Sequence, residues 1–378
     1  MDKYKQMKKK LAILGASISQ KPLYLKAREM EIEVHCFAWD KGNDSICKEF
    51  TDFYYPISYL EKEKILEICK EIKIDGITTM ANDNCIPTVS YVAENMGLTS
   101  NKYEDSLIST NKFAQRQAFE KYGVNSPRFV FADENADYSF LTYPLMVKPT
   151  DRAGSTGIMK VEKAENLKDA IDYAKKLSFS GNALVEEFVS GKEVCAECIC
   201  WDGELYILAI TETETLGGPL YSKIAYHQPA HLNANETIKL NEEGRKAIKA
   251  LNFVCGCCDI EMMVTSSGDV KIIEVNPRMC GDATEAMVRL STGYDYLRAG
   301  INLAFGEFEI PVPSLNMCSG IYFLSKETEY LKPIIKNKEK YPEIVDAEIY
   351  DDELRELQGI VGRSGYLIYQ SDKRKDWR

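Results

Sequence analysis

The chain reads as an α/β and α+β protein of two or three domains, and three observations lead there. Its 378 residues exceed what one hydrophobic core organises. Residues 10–100 alternate short apolar strands with helical segments, the rhythm of a parallel, doubly wound sheet. Beyond about residue 125 strands follow one another with few helices between, as in antiparallel α+β assemblies. The expected division is a Rossmann-like lobe over 1–105, a two-lobed central domain over 106–310 and a small C-terminal subdomain over 311–378. Within the centre one lobe spans about 125–195 and the other about 195–310.

The first strand is Leu11-Ala-Ile-Leu-Gly15, followed by a helix over 22–30 and the strand Glu33-Val-His-Cys-Phe-Ala38. A helix from about 60 to 72 precedes the strand Asp75-Gly-Ile-Thr-Thr-Met80, and another covers 86–96. Gly15-Ala-Ser makes a tight turn but lacks GxGxxG, so a dinucleotide site there is weakly supported. A helix from about 106 to 122 leads into the central domain. Strands are expected there at 127–131, 144–148, 157–161, 183–188, 193–201 and 204–211, with a helix near 165–178. Past Pro311-Val-Pro313 comes a third block whose last strand is Gly365-Tyr-Leu-Ile-Tyr369. The charged tail over 371–378 reads as frayed.

Asp and Glu outnumber Lys and Arg by 58 to 47, a formal charge of −11, which disfavours nucleic acid and acidic membrane surfaces as partners. No apolar run approaches the roughly 20 residues of a spanning helix. The start, Met1-Asp-Lys-Tyr-Lys-Gln-Met-Lys-Lys-Lys, leads into a strand with no signal-peptide core. A cytoplasmic protein is expected, and self-association as a homodimer stays open. Among 12 cysteines, Cys195-x-x-Cys198 and Cys255-x-x-Cys258 form a zinc-like pair on paper. Both lie inside expected strands with no knuckle glycine or partner His, so reduced, buried thiols are the better reading.

The most informative stretch joins Asp259-Ile-Glu-Met-Met, a turn at Gly268, and Ile273-Glu274-Val-Asn276-Pro-Arg278. Alternation places Glu261, Glu274 and Asn276 on one face of a hairpin, as hard oxygen donors suited to Mg²⁺ ions that hold nucleotide phosphates. The plain alternative is a hairpin with two solvated acids. Arg278 adds a fork-shaped cation for an oxyanion. Upstream, Lys112 opens a helix after Asn111, and Lys148 ends an apolar strand where an unpaired ammonium would be costly. The loop Asp151-Arg-Ala-Gly154-Ser155-Thr156-Gly157 lets backbone N–H groups approach phosphates. Next, Leu184-Val-Glu186-Glu187-Phe188-Val189 runs into a connector whose backbone can pair with an adenine edge, and Glu193 offers a carboxylate for ribose hydroxyls.

In this order these elements resemble the ATP-grasp superfamily. The matching motifs are Asn-Lys112-x-x-x-Arg, Val-Lys148-Pro-x-x-x-Ala-Gly-Ser-x-Gly, Glu186-Glu-Phe-Val-x-Gly-x-Glu193 and Glu261…Glu274-Val-Asn276-Pro-Arg278, over roughly residues 5–310. The resemblance implies ATP held between two α+β lobes, with the Rossmann-like lobe completing the substrate site. Lys112 and Lys148 would then contact phosphates, while Glu186, the 187–189 backbone and Glu193 hold adenosine. Glu261, Glu274 and Asn276 would carry Mg²⁺, with Mn²⁺ as a substitute. Tyr226-His227-Gln-Pro229-Ala230, the run from Arg278 through Gly281 and Gly293 to Gly306, and Val361-Gly-Arg-Ser-Gly-Tyr-Leu-Ile are most similar to carboxylate–amine ligases of the L-amino acid type. Those ligases often carry an acid shortly before the histidine. Here Tyr221-Ser-Lys223-Ile-Ala stands instead, which leaves the amine open.

The chemistry so implied joins a small acid, of amino acid or sugar-acid type, to a small amine. The acid would attack the γ-phosphate of ATP, and the acyl phosphate formed would pass to the amine with release of ADP and phosphate. Arg278 would steady the oxyanion. The segment 211–225, with Gly217-Gly218-Pro219 as hinge, reads as a mobile lid or as an ordinary surface loop. On the lid reading Lys223 reaches the γ-phosphate and His227 the substrate. Two alternatives remain, a carboxylase using bicarbonate and a non-catalytic ATP-binding protein.

Overall fold

The structure is a computed structural model that describes residues 8–218, 221–357, 359 and 361–378. The opening Met1–Met7 and the hinge residue Pro219 lie outside the described residues.

The N-terminal lobe follows its sequence pattern closely. In chain order it contains β1 (Lys10–Leu14), α1 (Lys21–Glu29), β2 (Glu33–Phe37), β3 (Phe53–Tyr55), α2 (Lys62–Ile72), β4 (Gly76–Thr78) and α3 (Ile86–Met96). The strands form a parallel sheet of order β3-β2-β1-β4. Both of its faces are covered, which is why β1 and β2 are apolar almost throughout. One face packs on α1 and the other on the α2 and α3 side.

The linking helix expected over 106–122 is two helices, α4 (Tyr103–Ser109) and α5 (Lys112–Tyr122). Asn111 causes the break. Its backbone is extended, and its side chain accepts from the Ala114 N–H, so it ends one helix and caps the next. The restart also brings the Lys112 N–H onto the Thr150 carbonyl, fastening α5 to the strand end that carries Lys148.

Next come β5 (Phe129–Phe131), β6 (Leu145–Pro149), β7 (Met159–Val161), α6 (Leu167–Leu177) and β8 (Ala183–Glu187). They build an antiparallel sheet of order β5-β8-β6-β7 with α6 on its apolar face. The remaining elements are β9 (Lys192–Trp201), β10 (Glu204–Thr215), β11 (Lys223–Gln228), α7 (Ala234–Ala250), β12 (Cys255–Val264), β13 (Val270–Asn276), α8 (Thr284–Thr292), α9 (Tyr296–Ala304), β14 (Cys318–Leu324), α10 (Leu331–Lys336), β15 (Ile344–Ile349) and β16 (Gly365–Ser371). All their strands join one antiparallel sheet, β13-β12-β9-β10-β11-β14-β16-β15. α7 covers one face of its β13-side half, and α8 packs against β10, β11, β14 and β16.

The expected C-terminal subdomain therefore has no sheet of its own: β14, β16 and β15 extend the central sheet through β11. The tail does not hang free either. Arg374 binds Glu212 at 2.7 Å and Glu214 at 2.6 Å, and Trp377 packs edge-on against Tyr341. Among the described residues no helix is long and apolar enough to cross a membrane.

Candidate active site

The β12–β13 hairpin has the register that the sequence pattern requires. Glu261 lies directly opposite Glu274, and Asp259 opposite Asn276, so all four side chains share one face. Each acid of the first pair meets a lysine from elsewhere in the chain. The ammonium of Lys112, at the start of α5, pairs with Glu274. Lys223, at the start of β11, lies 3.6 Å from Glu261 and 3.1 Å from Glu193. Lys223 and Lys112 draw the Glu261 pKa below the usual carboxylate range in spite of burial. Burial alone would lower the pKa of Lys223; Glu261 and Glu193 raise it well above normal.

Lys148 occupies the apolar end of β6, and its anion comes from within the protein. It pairs with Glu186 on β8, whose other partner is Arg116 of α5 at 2.8 Å. Arg116 and Glu186 are only 2% and 1% exposed, so the triad is a buried charge network. Burial pushes the Glu186 pKa up, and the two cations outweigh it to leave the group ionised. Its carboxylate thus orients Lys148. Glu187 turns its carboxylate away to Arg128 and the Thr142 N–H, leaving its backbone on the cleft side.

The connector 186–193 crosses from one sheet to the other and lines a cleft of about 420 Å³, together with Met146, Lys148, Ser155, Lys223, Glu261 and Glu274. Phe188 and Val189 supply apolar wall, and Lys160 sits over the Phe188 ring at 4.3 Å. Gly191 must be glycine here, because a Cβ would lie 2.3 Å from the Val264 carbonyl oxygen. In the glycine-rich loop Gly154, Ser155 and Gly157 all have positive φ; Ser155 lines the cleft, and Gly154, Thr156 and Gly157 are not part of its wall.

Three expectations change. The stretch 211–225 is mostly strand: β10 runs to Thr215 and β11 resumes at Lys223, so only a short hairpin tip separates them. Lys223 is accordingly a strand residue facing Glu193 and Glu261. His227 lies away from the cleft, fully buried, with Nδ1 3.0 Å from the Tyr369 hydroxyl and Nε2 3.2 Å from Glu214. A bulge in the β10–β11 pairing between Glu214 and Thr215 explains this, since it breaks strict alternation and leaves Lys223 on the cleft face while His227, four residues on, faces the other way. Arg278 reaches the site but is already engaged, by Asp259 and, at 2.7 Å, by Asp83 of the N-terminal lobe. Burial raises the Asp259 pKa to about 6, against the pull of Arg278.

Asp83, Arg116 and Asp259 are functional candidates to which the sequence reading gave no role, although Arg116 closes the Asn-Lys112-x-x-x-Arg motif. Asp259 carried a signal, standing two residues before Glu261 on the same strand face. Asp83 carried none, because only the tertiary fold brings the loop after β4 to Arg278. Glu261, Glu274 and Asn276 suit a divalent cation that takes its remaining ligands from nucleotide phosphates and water, as Mg²⁺ does. Among the described residues no group of three His, Cys, Asp or Glu side chains could form a cage without such help.

Residues 141–286 match the family described as ATP-grasp domain. The chain carries an ATP-grasp domain. This match runs from just before the strand of Lys148 to the start of α8, and so includes Glu186, Glu261, Glu274 and Asn276. A curated relative, uncharacterized protein y4rH of Sinorhizobium fredii, is 29% identical over 246 residues, 63% of this chain and 50% of that protein. The chain thus spans half the length of that relative. In fold the chain is similar to the L-amino acid ligase from Bacillus licheniformis, with a TM-score of 0.79 and 20% identity, covering 97% of this chain and 94% of the other. It is also similar to N5-carboxyaminoimidazole synthetase from Staphylococcus aureus in complex with ADP, at a TM-score of 0.77 and 16% identity over 98% and 95% of the two chains. At these identities the fold is what is shared.

Proposed function

We propose that the protein is an ATP-dependent carboxylate–amine ligase that forms an amide through an acyl phosphate and releases ADP and phosphate. The observation that carries this reading is the convergence of Glu261, Glu274, Lys112, Lys148 and Lys223 on one cleft. ATP would lie along the connector 186–193, its adenine against Phe188 and Val189 and its ribose near Glu193. Lys148, held by Glu186, meets the phosphates, and Lys112 and Lys223 neutralise charge at the transferring group. When bound, Mg²⁺ on Glu261, Glu274 and Asn276 would supply electrostatic stabilisation of the transferring phosphoryl group.

The substrate carboxylate oxygen bonds to the γ-phosphorus as the bond to ADP breaks. The amine nitrogen then bonds to the acyl carbon and loses a proton, and phosphate leaves. Arg278, held by Asp83 and Asp259, is positioned to steady the oxyanion of that second step. The substrates on this reading are a small acid, of amino acid or sugar-acid type, and a small amine.

Hydroxylamine intercepts acyl phosphates, so the test combines ATP, Mg²⁺, a panel of small acids and hydroxylamine. Hydroxamate and ADP are expected in equal amounts. AMP and pyrophosphate would overturn the mechanism. ADP formed with bicarbonate alone, and no hydroxamate, would favour the carboxylase reading that the likeness to the Staphylococcus aureus synthetase keeps open. Glu274→Gln is expected to cut ADP formation by about 100-fold or more with cooperative unfolding retained, because one metal-facing charge is lost. Near-normal turnover at saturating Mg²⁺ would remove Glu274 from the site.

A further inference from the structure

We propose that Glu197 and Glu285 form a subsite for the ammonium group of the acid substrate, which is therefore a zwitterionic amino acid. The inference rests on the ligase reading above and narrows its substrate class.

Glu197 on β9 lies directly opposite Asp259 on β12, just as Cys195 lies opposite Glu261. It therefore shares the face of the metal hairpin, one strand over and two residues along from Glu261. That offset is about 8 Å between backbone positions. That spacing suits a small amino acid with its carboxylate at the phosphates and its ammonium at Glu197.

The subsite is built in advance. Glu197 is fully buried, and its Oε1 lies 3.5 Å from the Thr211 hydroxyl. Thr211 accepts from Gln228 at 2.9 Å, and Gln228 accepts from Ser291 at 2.8 Å, so this side of the carboxyl is held by a polar row across the sheet. Its other oxygen, Oε2, has no partner. Glu285, in the first turn of α8, is 5% exposed and also keeps Oε2 unpartnered. The buried Thr284 hydroxyl beside it has none either. Asp282 and Ala283, both with positive φ, form the strained turn that delivers these residues into the helix start.

Buried polar groups are rarely left unpaired, and two carboxyls with a hydroxyl so left call for a donor of several hydrogen bonds. An ammonium supplies three. No Lys or Arg among the described residues forms an ion pair with either acid: Arg278 pairs with Asp83 and Asp259, and Arg363 meets Asp282 through Nη1 at 2.8 Å, with its Nε and Nη2 unpartnered. Burial raises both carboxyl pKa values, that of Glu285 to about 7, with Asp259 and then Glu285 adding to the rise at Glu197 and Asp282 to that at Glu285. A bound cation would reverse that tendency. Bicarbonate and plain carboxylic acids offer no such group.

The test pairs amino acids with deaminated acids of the same skeleton, such as alanine with propionate and glutamate with glutarate, in the hydroxylamine assay. Amino acids are expected to be favoured by about 10- to 100-fold in kcat/KM, the value of one charged hydrogen-bonded contact. Glu197→Gln and Glu285→Gln, each checked for cooperative melting, should raise the KM for the amino acid about tenfold with the KM for ATP unchanged. Equal turnover of deaminated acids, or an unchanged amino acid KM in both folded variants, overturns the subsite and leaves the ligase reading standing. If neither series yields hydroxamate, both readings fall.

Discussion

Glu186 has Arg116 on one side and Lys148 on the other, all three out of water. Replacing it by Gln leaves two buried cations facing a neutral amide, a loss of about 3–5 kcal/mol by the usual cost of breaking a buried pair. Urea unfolding of Glu186→Gln should show it as a lower midpoint, and an unchanged midpoint would mean that water reaches the network. His227 makes a different prediction. Burial lowers its pKa to about 4, with Arg374 adding to the effect and Glu214 opposing it. The folded histidine stays neutral while the unfolded one takes up a proton near pH 6.5. The unfolded chain thus binds more protons between those values, and wild-type stability must fall as pH drops from about 6.5 towards 4. In His227→Gln this part of the acid sensitivity should disappear from melting curves recorded over that range.

At the scale of elements, β10 is held at both edges and along its end. β9 and β11 flank it, and the C-terminal tail grips Glu212 and Glu214 through Arg374. One residue beyond Glu214, Thr215 pairs with Lys223, so the tail fastens the strand that carries the hairpin tip over the cleft. Arg374→Ala should lower the melting temperature, by a stability loss on the order of 1–2 kcal/mol for a half-buried pair. It should also raise the His227 pKa, because a cation that disfavours protonation is gone. NMR titration of the imidazole measures that shift, and an unmoved pKa would show that the tail does not reach the buried histidine.

Across the whole molecule, the lobes meet where the chemistry is expected. The Ala81 N–H donates to the Met279 carbonyl at 3.0 Å, and Asp83 holds Arg278 from the N-terminal side. The loop after β4 is thereby fixed to the loop after β13. Asp83→Ala frees one side of the guanidinium while leaving Asp259 in place. Turnover is expected to fall about tenfold or more through lost positioning, with binding of a non-hydrolysable ATP analogue unchanged. A parallel loss of nucleotide affinity would mean instead that Asp83 supports the ATP lobe.

The sequence by itself determined the strand–helix alternation of residues 10–100, the cleft-lining connector and the face shared by Glu261, Glu274 and Asn276, because periods of two and 3.6 residues are local properties of the backbone. It also marked Lys148 as needing an anion, since an ammonium in an apolar strand is costly wherever the strand lies. Only the tertiary structure decided that the anion is Glu186, that Arg278 is shared with Asp83, and that His227 faces Tyr369 instead of the cleft. The same holds for β14, β15 and β16 joining the central sheet and for the charged tail that found Glu212 and Glu214. Those outcomes depend on which elements become neighbours, and partners from 38 residues apart, as Lys148 and Glu186 are, to 195, as Asp83 and Arg278 are, leave no periodic trace in the chain between them.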